Sequence, residues 1–249
     1  MMLLKILFWI AIAIASPILI YYFGSKSKAL KIALQVVLLV AIVFLSYSLY
    51  ESIMDPIRFD NKRNVRERAA VEELIKIRTA QTAFKKENGY YTDNFDTLIH
   101  FVKNDSITEI KRSGLIPDSI FLNADNVRAE AEKRAIELGI LSVDTIRVAT
   151  EDSLFKDYNV DKLGRIPFNK NKKTFKMDTT TVEAGGINVQ IFQAHVKYKT
   201  LFEGMNNSLT QNVIDRAIRN DNFPGLKVGS LVENNNNAGN WSKELEIKK

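Results

Sequence analysis

Two apolar stretches, residues 3–23 and 29–50, fill most of the first fifty positions, and no comparable run follows them. Between them lies Gly24-Ser25-Lys26-Ser27-Lys28. A helix rises about 1.5 Å per residue, so about 20 residues cross a hydrocarbon core of about 30 Å. Either stretch is long enough. The sequence therefore predicts a membrane hairpin over residues 1–54, with spans at about 3–23 and 29–50, and a soluble domain over 55–249. The bilayer is the first expected partner. Ala13-Ile14-Ala15-Ser16 offers a small-x-small pattern, but Pro17 follows and the apolar run continues to Phe23. That is longer than the apolar region of a cleaved signal peptide, so the segment is expected to stay.

Orientation follows from the basic residues. Lys26, Lys28 and nearby Lys31 have no acid beside them, and short lysine-bearing loops stay cytoplasmic. This expects the large domain outside, in the periplasm of a bacterial inner membrane. Arg58, Lys62, Arg63, Arg66 and Arg68 after the second stretch argue for the opposite orientation. The chain carries a formal charge of +6, with lysines interleaved among acids. Without an arginine-rich run flanked by aromatics, nucleic acid is not an expected partner. The absence of Cys excludes disulfides and thiolate zinc sites.

The domain reads as α+β. Pro56 lacks an N–H and is expected to break or kink the helix near Asp55. A helix then follows over residues 61–88. Its Ala70, Leu74, Ile77, Ala80 and Phe84 recur at three- and four-residue steps, while Arg68, Glu72, Lys76, Lys85 and Lys86 lie mostly off that stripe. Asn88-Gly89 supplies the C-terminal cap. Thr92 or Asp93 is expected to cap a short helix over 95–102. Residues 107–112 alternate weakly as a strand. Residues 123–138 read as a helix capped by Asn123 or Asp125 and stopped by Gly139. Residues 144–150 alternate as a strand, and 174–182 and 187–198 read as two strands joined at Ala184-Gly185-Gly186. A helix over 209–219, a strand over 226–231 and an Asn-rich loop over 234–237 complete the chain.

The junction resembles the core of type IV pilins and type II secretion pseudopilins. The residues that carry the resemblance are Ile77-Arg78-Thr79-Ala80-Gln81-Thr82-Ala83-Phe84, then Glu87-Asn88-Gly89-Tyr90-Tyr91-Thr92, then Phe95-Asp96-Thr97-Leu98. It covers about residues 33–102. The prepilin cleavage motif is lacking: Gly24 is followed by Ser25-Lys26-Ser27-Lys28 rather than an apolar run bearing Glu. The chain is also similar to two-span envelope proteins of Gram-negative bacteria. The resemblance implies a stalk helix packed on a small antiparallel sheet and an envelope location.

Catalytic signals are sparse. The chain has two histidines, His100 and His195, and no Gly-x-Ser-x-Gly, His-Glu-x-x-His, Walker or dinucleotide-binding pattern. Asp157-x-Asn159-x-Asp161 has the spacing that opens a calcium loop, but Lys162 stands where the loop needs Gly and Phe168 where it needs Glu. Asp93, Asn94 and Asp96 form a second acidic cluster that helix capping explains. No metal, cofactor or small-molecule substrate is expected. The sequence reading is a non-enzymatic, membrane-anchored structural or assembly component of a bacterial envelope, of the kind found in secretion or pilus machinery. It acts by binding envelope proteins or further copies of itself. Leu74, Ile77 and Phe84 are the candidate contacts, with packing inside the domain as their alternative role. Two rival readings are an anchored hydrolase of cell-wall or sugar polymers, and a cytoplasm-facing module that holds anionic lipid through 58–68.

Overall fold

A computed structural model describes residues 28–117 and 127–245, together with positions 10–12, 14, 15, 17, 18, 21 and 22. Most of the expected first span, the connection 24–27, and the expected caps Asn123 and Asp125 lie outside the described residues. The described positions of the first stretch are helical. The chain divides into two units, Met1–Val65 with Met205–Leu209, and Arg66–Gly204 with Thr210–Lys249.

In the first unit the dominant element is the N-terminal part of helix α1, Lys28–Asn88. Among the described residues it is the helix long and apolar enough to cross a membrane, and almost none of its apolar window is buried. Val36, Leu39, Ile42, Val43, Leu49 and Ile53 are all exposed. In water such a surface carries a large penalty, about 25 cal/mol for each Å² of apolar area. The helix runs through Pro56 without a break, which corrects the expected interruption. A proline removes one backbone donor, and the turns on either side still propagate cooperatively. The Arg58 guanidinium also reaches back across this point to Glu51 at 3.2 Å and Asp55 at 3.9 Å.

In the second unit, the remainder of α1 buries Ala70, Val71, Leu74, Ile77, Ala80 and Phe84. Residues three and four apart share one helical face, so the sequence stripe becomes the core side of the element. Gly89 ends α1 at φ +85°, its N–H bonded to the Lys85 carbonyl at 2.8 Å. Helix α2 spans Phe95–Asn104. Its N-cap is Asn94, whose Oδ1 accepts from the Asp96 N–H, rather than Thr92 or Asp93. Thr92 is used one step earlier, accepting from the Asn94 N–H at 3.1 Å.

Strand β1, Ser106–Ser113, pairs antiparallel with β2, Ser142–Ala149, and helix α3, Val127–Glu137, lies between them in sequence. Ala131, Ala135 and Leu141 form a small separate cluster with Ile116 packed against it. Helix α4, Thr150–Leu154, follows. Strands β3, Lys176–Ala184, β4, Ile187–Lys197, and β5, Gly225–Gly229, make a second antiparallel sheet in the order β3-β4-β5. The β3–β4 turn is Gly185-Gly186, both at positive φ, as a two-residue type I′ hairpin requires. Helices α5, Tyr198–Leu201, and α6, Asn207–Arg219, lie between β4 and β5 in sequence. One sheet face supplies Met177, Phe192, Ala194, Val196, Leu226 and Val228 to the core. The architecture is thus α+β with a long N-terminal apolar helix and two small antiparallel sheets.

Candidate binding surface

The end of α1 is tied to the three-stranded sheet through a buried amide. Gln81 Nε2 donates to the Thr92 carbonyl at 2.5 Å and meets Met177 Sδ at 2.9 Å, and Gln81 Oε1 accepts from the Thr92 N–H at 3.3 Å. Gln190 does the same from the sheet, accepting the Tyr91 N–H at its Oε1 and the Lys85 ammonium at its carbonyl. Five polar contacts are thereby made in a region where an unpaired buried group costs about 1–3 kcal/mol. Phe84 stands edge-on to Phe101 at 5.1 Å, and Tyr91 meets Phe192 at 4.8 Å.

Leu74, Ile77 and Phe84 are therefore buried inside the chain itself. A partner reaches them only after the unit opens. The open side of the same helical segment is different. Arg78, Thr79, Thr82 and Lys86 form one wall of a groove of about 730 Å³, and Thr108 and Ile110 of β1 lie on the other. Glu87 Oε1 accepts the Thr108 N–H at 2.8 Å, and Lys86 Nζ donates to the Thr108 carbonyl at 2.8 Å. Both backbone groups of Thr108 therefore point away from β2. Alternation in an antiparallel ladder turns those of Ile110 the same way, along an unpaired strand edge. The hydrogen bond from Thr108 holds the Glu87 carboxyl below its ordinary pKa despite partial burial, and Arg147 at 3.8 Å adds to this.

Other polar groups of the unit already have structural work. Glu73 takes Lys76 at 2.6 Å on one oxygen and the Tyr158 hydroxyl at 2.6 Å on the other. Burial, then the bond to Glu73, raises the Tyr158 pKa well above its usual value. In the calcium-like spacing, Asn159 Oδ1 accepts from the Asp161 N–H to cap a single 3-10 turn, and Asp161 pairs with Lys103 at 2.6 Å. In the acidic cluster, Asn94 is a cap and Asp96 lies in the first turn of α2. His100 is exposed, while His195 is half-buried on the outward face of β4. Sequence reasoning missed the groove because the β1 edge becomes visible only once β1 has its partner. The adjacent charges of Lys86 and Glu87, at the end of the helix, are the signal that was present.

Set against known proteins, the chain matches no family model, no curated protein and no solved structure.

Proposed function

We propose that this chain is a non-enzymatic, membrane-anchored assembly component of a bacterial envelope that acts by protein binding. The observation that carries the reading is the exposed apolar surface of α1 from Val36 to Ile53, which only a bilayer or another apolar surface makes stable. In this reading residues 3–23 and 29–50 form a two-helix hairpin in the inner membrane, and the domain faces the periplasm. Residues 61–88 serve as a pilin-like stalk. The contact surface is the groove beside the β1 edge, which accepts an extended segment of an envelope protein as an added strand. Support comes from the outward N–H and C=O of Ile110 and from the engagement of Glu73, Glu87 and Asp161 in structural bonds.

Alkaline carbonate extraction tests the anchor. The full chain is expected in the membrane pellet, and recovery of it in the supernatant would remove the basis of the reading. A photo-crosslinker at Lys111 in intact cells tests the groove. Adducts are expected with an envelope protein or a second copy, and Ile110→Pro should abolish them. Proline there deletes an outward donor while leaving the β1–β2 bonds intact. Adducts that persist in Ile110→Pro would rule out strand addition.

A further inference from the structure

The outward face of the three-stranded sheet carries a second arrangement, unrelated to the groove beside β1. The register sets Lys176 of β3 opposite His195 of β4, and His195 opposite Lys227 of β5. Neighbouring strands lie about 4.8 Å apart, so lysines on both neighbouring strands flank one histidine across the sheet. Lys197 is two residues beyond His195 and so stands on the same face. Lys176, His195, Lys197, Thr174 and Thr200 line a groove of about 460 Å³, a size that suits a small ligand.

The charges are unbalanced. Lys173, at the rim, is held by Glu203 at 3.1 Å, and Asn169 and Asn171 hold the same carboxylate. Among the described residues, Lys176 and Lys197 have no acid partner, and Lys227 has only the Phe223 ring at 5.9 Å. Asp178 is the one acid among the charges that act on His195, against Lys176, Lys197 and Lys227. Like charges on one sheet face repel, and an unrelieved cluster of this kind destabilises the fold. The imidazole is also set in place. Its ring stands edge-on to Phe223 at 5.3 Å, and Nδ1 meets the Gln193 amide nitrogen at 3.4 Å. In the tautomer whose Nδ1 accepts from that amide, Nε2 carries the proton and is a donor. Burial, opposed by Asp178 and joined by the three lysines, holds the His195 pKa below its ordinary value.

We propose that this groove binds a phosphate group, with Lys176 and Lys197 as its counter-charges, Lys227 adding positive charge from the neighbouring strand, and His195, Thr174 and Thr200 as hydrogen-bond donors. Phosphate matches the site because it offers several acceptor oxygens and more than one negative charge to a groove lined by two lysines without an acid partner. The phosphate could be carried by a small metabolite or by a lipid headgroup, and the chemistry at the face is the same. The inference stands apart from the protein-binding reading and does not depend on it.

The test uses the full chain in uncharged maltoside micelles, with ring-labelled histidine. Two histidines give two sets of side-chain signals, and exposed His100 is the internal reference. Inorganic phosphate, or phosphatidic acid added to the micelles, is expected to shift the His195 signal saturably and to raise its pKa, leaving His100 unmoved. A response to inorganic phosphate identifies a soluble source, and a response confined to phosphatidic acid identifies a headgroup. Lys176→Gln with Lys197→Gln is expected to weaken either response about tenfold or more, as loss of two charge-assisted contacts implies. Lys197→Gln alone should weaken it less and serves if the double variant fails to fold. An unmoved His195 signal with both probes overturns the proposal. So does equal binding by the lysine variants, or saturation by poly-glutamate where phosphate has no effect.

Discussion

The two sheets obey different physics. In β3-β4-β5 one face is sealed, with Phe192, Ala194, Val196, Leu226 and Val228 all buried. In β1-β2 most positions are open on both faces, and Ile110, Val143 and Ile146 are exposed. A lone two-stranded ribbon is marginal in water and needs outside support. Here α3 supplies a small cluster and an Arg112–Glu132 pair at 3.7 Å at the far end, and polar contacts hold the base. Thr150 N–H and Oγ1 both donate to the Asp105 carbonyl, and Lys86 and Glu87 hold Thr108. The three-stranded sheet is a core element, and its sequence is constrained by volume. The two-stranded ribbon is a surface element, held by polar contacts at its base and free to present an edge.

This contrast can be broken most strongly in the sealed sheet. Phe192→Ala should cost about 3–5 kcal/mol, read by denaturant unfolding, because its ring has no exposed surface and leaves a cavity. A loss below about 1 kcal/mol would mean the sheet is not the core. Gly229→Ala comes next, at about 1–3 kcal/mol. Gly229 sits at φ +75°, and an added Cβ would collide with the Phe192 carbonyl. Gln81→Ala should fall in the same range, about 1–3 kcal/mol, since it orphans both backbone groups of Thr92.

Glu87→Gln probes the base of the open ribbon through pH. Its folded pKa is depressed, so its stabilising effect is present above the ordinary carboxyl pKa and is lost as pH falls through the folded value. Wild type should be the more stable at neutral pH, and the two curves should converge in acid. The smallest effect belongs to the tip: Ile110→Thr should change stability by less than about 0.5 kcal/mol, because that side chain is 60% exposed. A large loss there would show that the ribbon is packed against something.

What the sequence disclosed follows the same divide between local and long-range causes. The stripe from Ala70 to Phe84, the cap at Gly89 and the Gly185-Gly186 turn are set by neighbours a few residues apart, and all were legible. The unbroken course of α1 through Pro56 was not, because it depends on turns on both sides of the proline. The choice of Asn94 as N-cap over Thr92 turned on which side chain reached the Asp96 N–H. The pairing of β1 with β2 was hidden because α3 intervenes. The row Lys176–His195–Lys227 needs two strand registers before it exists at all, and no spacing in the sequence announces it.

The most direct test of the central claim uses the absence of native cysteine. Val232, 86% exposed, can be replaced by Cys and challenged with a membrane-impermeant maleimide in intact spheroplasts. A chain anchored by its apolar helix with the domain outside is labelled before lysis and sediments with the membrane. Labelling only after lysis would place the domain in the cytoplasm, and a labelled chain in the soluble fraction would contradict the anchor itself.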